Sequence, residues 1–191
     1  ADTVARGFND LGYRMVIRDY DARGARIRHY LRYDVTTLFH HSHGSPGGLS
    51  SLFDGTFHHD EFVLGVRNFI VVACTTLNES WASSFGPNTE TVLGYSELAV
   101  GVVGHGVTDY FFEALNAGNT YLEAWYFANT RSAVQASIWA AYVREGDDIV
   151  EYSRRSGNLP VARGRNEFVP SGFGDVWISP SLLNDARTHS N

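Results

Sequence analysis

Apolar positions along the chain fall into short continuous runs, separated by stretches with helical spacing. The strongest run is Phe69–Ala73 (FIVVA), which leads straight into Cys74. A run of that kind predicts a strand buried on both faces. Thr91–Tyr95 (TVLGY) predicts a second such strand, and Val35–His40 (VTTLFH) a third that ends in the polar, Gly-rich turn HHSHGSPGG. Tyr13–Tyr20 alternates as a strand does, Ile138–Val143 reads as another, and Asp175–Ser179 as a last one. Leu49–Phe57 carries Asp54-Gly55 between short apolar runs, a hairpin signal. Helices are predicted over Val4–Leu11, from a cap at Asp21 to about Tyr33 with Ile27, Tyr30 and Leu31 on one face, over Thr108–Leu115 and over Tyr121–Ala133. Thr120 and Glu123 have the spacing of a capping box at the start of the last helix. Between Gly146 and Pro170 the pattern weakens, and the residues from about Ser181 read as a tail.

Helices that alternate with continuous apolar strands predict an α/β fold with a mostly parallel central sheet and helices on both faces. The chain shows no internal repeat and no Pro/Gly-rich linker ahead of its C-terminal region, so residues 1–191 are expected to form a single domain. In open parallel sheets, functional groups gather beyond the carboxyl ends of the strands. His43 and Cys74 both follow apolar strands, so both are expected on that rim.

Composition narrows the function classes. A hydrophobic fraction of 43% over 191 residues is enough for a sizeable core. The formal net charge is −6, and the main basic cluster, Arg14 to Arg32, reads as the solvated face of a helix, so no nucleic-acid partner is expected. Every basic residue other than histidine is Arg. Cys74 is the sole cysteine, which excludes an internal disulfide. No run of about 20 apolar residues is present, so no membrane partner is expected. Ala1 stands where an initiator Met would, as in a mature, secreted or processed form. The sequence sets neither the compartment nor the oligomeric state.

Three sets of residues could carry chemistry. Cys74 sits where a strand gives way to Thr75-Thr76-Leu77-Asn78-Glu79. A thiol there reaches a cleft and can meet a base, whereas a buried Cys74 would be an inert small hydrophobe. His43 is followed by Gly44, which allows close backbone approach and offers an N–H to an oxyanion. His40 reads as a buried strand residue, and His41, His58 and His59 as exposed ones. The third set is a metal reading, with His41, His43, His58 and His59 beside Asp60 and Glu61. Its spacing matches no established motif, and no HExxH or CxxC is present. The sequence also lacks GxSxG and GxxxxGK[ST], and Gly101–Gly106 lacks the strand–turn–helix context of a dinucleotide fingerprint.

The blocks Leu38-Phe39-His40-His41-Ser42-His43-Gly44 and Val71-Val72-Ala73-Cys74 resemble the two signature blocks of the caspase–gingipain–legumain class of cysteine peptidases. There, one apolar strand ends in His-Gly and another in Ala-Cys or a similar pair. The order of strand Thr91–Tyr95, a loop, the aromatic-rich segment Asp109–Leu115, Gly118 and Leu122–Trp125 is similar to bacterial caspase-like and gingipain-like domains. The resemblance covers roughly Tyr13 to Ala133. It departs after the cysteine, where Thr75-Thr76-Leu77 stands in place of the small residue and Gly common in the class.

The resemblance implies a caspase-like three-layer sandwich and a cysteine endopeptidase acting on a peptide or protein substrate, with no cofactor and no metal. It implies Cys74 as nucleophile, His43 as general acid and base, and the N–H groups of Gly44 and Cys74 as oxyanion donors. Glu97, His105 and Asp109, in the loop Ser96–Asp109 that follows strand Thr91–Tyr95, are the expected substrate-reading residues. A catalytically inactive binding or scaffold domain and a metal-dependent hydrolase remain as alternatives.

Overall fold

A computed structural model describes residues 2–13, 24–32, 36–51, 55–61, 63–97, 106–131 and 138–153. They gather into two compact units. The first holds the described residues between 1 and 18 and between 101 and 135, and the second holds those between 19 and 100 and between 136 and 158. The strand expected over Tyr13–Tyr20, the cap at Asp21, the strand Asp175–Ser179 and the tail lie outside the described residues, apart from Tyr13 itself.

The first unit contains the helices α1 (Asp2–Asp10), α3 (Gly106–Asn116) and α4 (Tyr121–Arg131). Helix α3 ends in a Schellman turn. Gly118 has φ +84°, Asn119 N–H donates to Ala114 O at 3.1 Å and Gly118 N–H donates to Leu115 O at 2.9 Å. The capping box then opens α4: Glu123 N–H donates to Thr120 Oγ1 at 3.3 Å, and Glu123 Oε2 accepts from Thr120 N at 2.7 Å. Gly7 of α1 lies flat against the Phe112 ring, and Phe8 meets that ring edge-on at 5.0 Å.

The second unit is built on a five-stranded sheet, in the order β1 (Thr37–His41), β5 (Asn68–Val72), β6 (Thr91–Tyr95), β7 (Trp139–Glu145) and β8 (Asp148–Ser153). The pairs β1·β5 and β5·β6 are parallel, while β6·β7 and β7·β8 are antiparallel. Four of the five strands therefore point the same way, which makes this a mixed α/β fold on a mostly parallel sheet. Every residue of β5 and of β6 is buried, as continuous apolar strands require. One face carries Phe69, Val71, Val92, Ala140 and Tyr142, packed with Trp81 and with Ile27 and Leu31 of α2 (Gly24–Arg32). Ile27 and Leu31 are four residues apart, one above the other on the helix face. The opposite face, Ile70, Val72, Leu93, Tyr95, Trp139 and Ala141, is also buried. Among the described residues, no helix is long and apolar enough to cross a membrane.

Two elements differ from the sequence reading. Strand β8 lies in the stretch where the pattern weakens. It pairs with β7 through a tight turn in which Gly146 has φ +68°, a position open to glycine at little cost. The expected turn after His41 instead holds a strand, β2 (His43–Ser45). It forms a separate antiparallel sheet with β3 (Gly48–Ser51) and β4 (Gly55–His58). Pro46 and Gly47, the latter at φ +62°, make the two-residue β2–β3 turn. The expected hairpin around Asp54-Gly55 is the β3–β4 pairing.

Candidate functional site

The parallel strands β1, β5 and β6 end at His41, Val72 and Tyr95. His41 pairs with Val72 in the last register position of β1·β5. Ser42 N–H reaches back to Val72 O at 3.4 Å. The chain segments that leave these two strands, Ser42-His43-Gly44 and Ala73-Cys74-Thr75, therefore start side by side.

They remain in contact. A Cβ built on Gly44 would overlap the Cys74 carbonyl oxygen, lie 2.5 Å from Thr76 Oγ1 and lie 2.9 Å from the Cys74 nitrogen. Only glycine fits there, because any side chain would displace the Cys74 backbone. His43 is exposed on β2 and Cys74 is half-buried.

The turn after Cys74 is held from several sides. Thr75 takes φ +54°, and it is the only non-glycine residue among those described with a positive φ. For a β-branched residue this is a strained conformation. It is secured by Thr75 N–H donating to Glu97 O at 3.0 Å and Leu77 N–H donating to Tyr95 O at 2.9 Å. Thr76 Oγ1 donates to Cys74 O at 3.3 Å, and the fully buried Trp81 donates its indole N–H to Thr76 O at 2.8 Å. The Tyr142 hydroxyl donates to Glu79 O at 3.3 Å. Burial, with Glu151 adding, pushes that phenol up to about 12, so it remains a donor across the physiological range.

The same turn grips the β2–β3 hairpin. Gly47 N–H donates to Asn78 Oδ1 at 3.0 Å, and Gly47 O accepts from His59 N–H at 2.9 Å. His59 Nε2 faces Glu79 Oε2 at 3.6 Å, and its ring lies over Trp81 with centroids 5.7 Å apart. The hairpin that carries His43 and the turn that carries Cys74 are thus tied together at both ends, at Gly44 and at Gly47.

His40 is buried, as its strand position suggests. Its imidazole lies 2.8 Å from Ser42 Oγ, and its pKa is lowered from 6.5 to about 4, first by burial and then by His41. His41, His43 and His58 are exposed, and His58 N–H is capped by Glu61 Oε1 at 3.0 Å. Among the described residues, no three His, Cys, Asp or Glu side chains converge as metal ligands would. His41, His43, His58 and His59 therefore do not form the cluster that the metal reading needs.

Of the expected substrate-reading residues, Glu97 is half-buried and borders the Cys74 turn through its carbonyl. Asp109 is exposed in the first turn of α3, in the other compact unit. His105 lies outside the described residues. Sequence reasoning missed Ser42, Thr76, Asn78 and Trp81. Ser, Thr and Asn after a strand are common turn residues, and only the path of the turn gives them partners. No protein-family model, no curated protein and no solved structure matches the chain.

Proposed function

We propose that the chain is a cysteine endopeptidase of the caspase–gingipain–legumain class, and that its mostly parallel sheet is the core of a caspase-like sandwich. The observation that carries this reading is the contact between the Gly44 and Cys74 backbones at the carboxyl ends of adjacent parallel strands. It brings the half-buried Cys74 and the His43-Gly44 pair to one rim, which supports the reading. The strained φ of Thr75 adds support, because such strain gathers where a turn must present a reactive group.

In this reading the Cys74 thiol gives its proton to His43, and its sulfur attacks the scissile carbonyl carbon. The carbonyl π electrons move to oxygen, and the Gly44 and Cys74 N–H groups receive the resulting oxyanion. His43 gives a proton to the leaving amine as the C–N bond breaks, which leaves a thioester. Water then attacks the thioester carbonyl while His43 takes its proton, the C–S bond breaks as His43 passes that proton to sulfur, and the acid product leaves the restored thiol. Glu97, beside the Cys74 turn, reads a polar or basic substrate side chain.

A peptide-library digest with wild-type protein, Cys74→Ala and His43→Ala tests the reading. Cleavage by the wild type that falls by more than about 1,000-fold in Cys74→Ala is expected, since loss of a nucleophile removes the chemical step. Cleavage that persists in Cys74→Ala would remove the proposal.

A further inference from the structure

The peptide that joins His43 to Gly44 carries the His43 carbonyl on one side and the Gly44 N–H on the other. The two lie in one plane and point in opposite directions in a trans peptide, so a partner that fixes the carbonyl also aims the N–H.

Ser42 supplies one such partner, in addition to Ser50, which the β2–β3 register sets opposite His43. The Ser42 hydroxyl donates to His43 O at 2.8 Å, and Ser42 Oγ itself lies 2.8 Å from His40 Nε2. A hydroxyl has one proton to give. With that proton on His43 O, Ser42 Oγ can only accept from His40, so His40 is the tautomer protonated at Nε2. His40 is 7% exposed and pairs in register with Val71, which is fully buried. Core packing therefore holds the imidazole, and the imidazole holds the serine.

The direction of the Gly44 N–H follows from the ladder. Ser45 and Gly48 flank the two-residue turn and pair with each other; Gly44 and Leu49 form the next pair. Hydrogen-bonded and non-hydrogen-bonded pairs alternate along an antiparallel ladder. The Gly44 N–H accordingly faces the outer edge of β2 and not β3.

We propose that His40 and Ser42 are positioning residues that, together with the β2–β3 ladder, lock the His43–Gly44 peptide so that the Gly44 N–H is presented at the outer edge of β2 as an oxyanion donor. What the N–H does there rests on the peptidase reading. How it is held does not.

The test compares Ser42→Ala and His40→Leu, which break the chain of donors, with Ser42→Thr and His40→Gln, which keep a hydroxyl and an N–H. The breaking variants are expected to lose about 10- to 100-fold in kcat, up to the usual cost of a lost oxyanion donor, with KM within about two-fold, and the conservative variants to recover most of it. Alkylation of Cys74 by chloroacetamide forms no oxyanion and should proceed at the wild-type rate in Ser42→Ala. An unchanged kcat in Ser42→Ala, or a loss confined to KM, overturns the proposal. The Gly44 amide resonance in 1H–15N spectra is a readout independent of catalysis. It should move in Ser42→Ala and return in Ser42→Thr. If the wild type cleaves no peptide, the peptidase reading fails by itself, and a Gly44 resonance unmoved in Ser42→Ala then overturns the positioning role as well.

Discussion

Gly44 and Cys74 meet backbone to backbone, so closely that a single methyl group on residue 44 would overlap the Cys74 carbonyl oxygen. This contact is the junction between the small antiparallel sheet and the rim of the large one. Gly44→Ala forces those segments apart and should cost about 1–3 kcal/mol, the range for an overpacked site. Urea denaturation of the variant beside wild type measures it. The same separation should uncover the thiol and raise its rate of reaction with a disulfide reagent.

Thr75 keeps a positive φ despite its branched side chain. Asparagine tolerates this region far better. Thr75→Asn should therefore raise the unfolding free energy by about 1 kcal/mol, the lower end of the strain such a residue stores. Thr75→Val keeps the branching and should give no gain. Chemical denaturation of the two variants distinguishes strain relief from a general effect of substitution.

His40 makes stability depend on pH. Its folded pKa, about 4, lies below its ordinary 6.5, so the unfolded chain binds the proton more readily. The contribution is fully present above pH 6.5 and is lost as the pH falls from 6.5 toward 4. The loss is about 3 kcal/mol at most, taking 1.36 kcal/mol for each pH unit between the two values. His40→Gln should flatten the stability profile in that window, as followed by denaturant titrations at a series of pH values.

Trp81 is fully buried, and its indole N–H holds the carbonyl of Thr76 two residues beyond Cys74. Trp81→Phe leaves a cavity and removes the donor, and should cost about 2–4 kcal/mol. Because the lost bond belongs to the Cys74 turn, the thiol should also become more reactive. Tm and the rate of thiol titration read the two effects separately.

Much of the architecture was legible because burial on both sheet faces requires continuous apolar runs. The strand Thr91–Tyr95 matches its expected bounds, and the strand Phe69–Ala73 is displaced by one residue. The capping pair Thr120 and Glu123 was legible for a local reason, since its partners are three residues apart. Strand β8 was not legible, although Gly146-Asp147 is a hairpin signal. It is an edge strand with its middle residues only half-buried, and its acidic residues mask any alternation. Strand β2 was hidden by its own composition, for His-Gly-Ser followed by Pro-Gly looks like a turn. Glycine stands at 44 because the Cys74 backbone leaves no room for a side chain, a fact of tertiary contact that no local pattern carries. The rim positions of His43 and Cys74 followed from strand topology. The roles of Ser42, Asn78 and Trp81 depend on the path of the turn after Cys74. Glu97 and Asp109 were both expected from the loop Ser96–Asp109; Glu97 borders the Cys74 turn through its carbonyl, and Asp109 lies in the other compact unit.

The central claim is that Cys74 forms a thioester with substrate. The most direct test treats wild type, Cys74→Ala and His43→Ala with a panel of peptidyl acyloxymethyl ketones that vary the residue before the reactive group, and maps the adducts by mass spectrometry. The account predicts one adduct, on Cys74, formed with a marked preference for one peptide, absent in Cys74→Ala and slowed in His43→Ala. A Cys74 that reacts with a small alkylating agent at an ordinary rate yet takes no peptidyl probe faster than any other, with His43→Ala behaving as wild type, would contradict it.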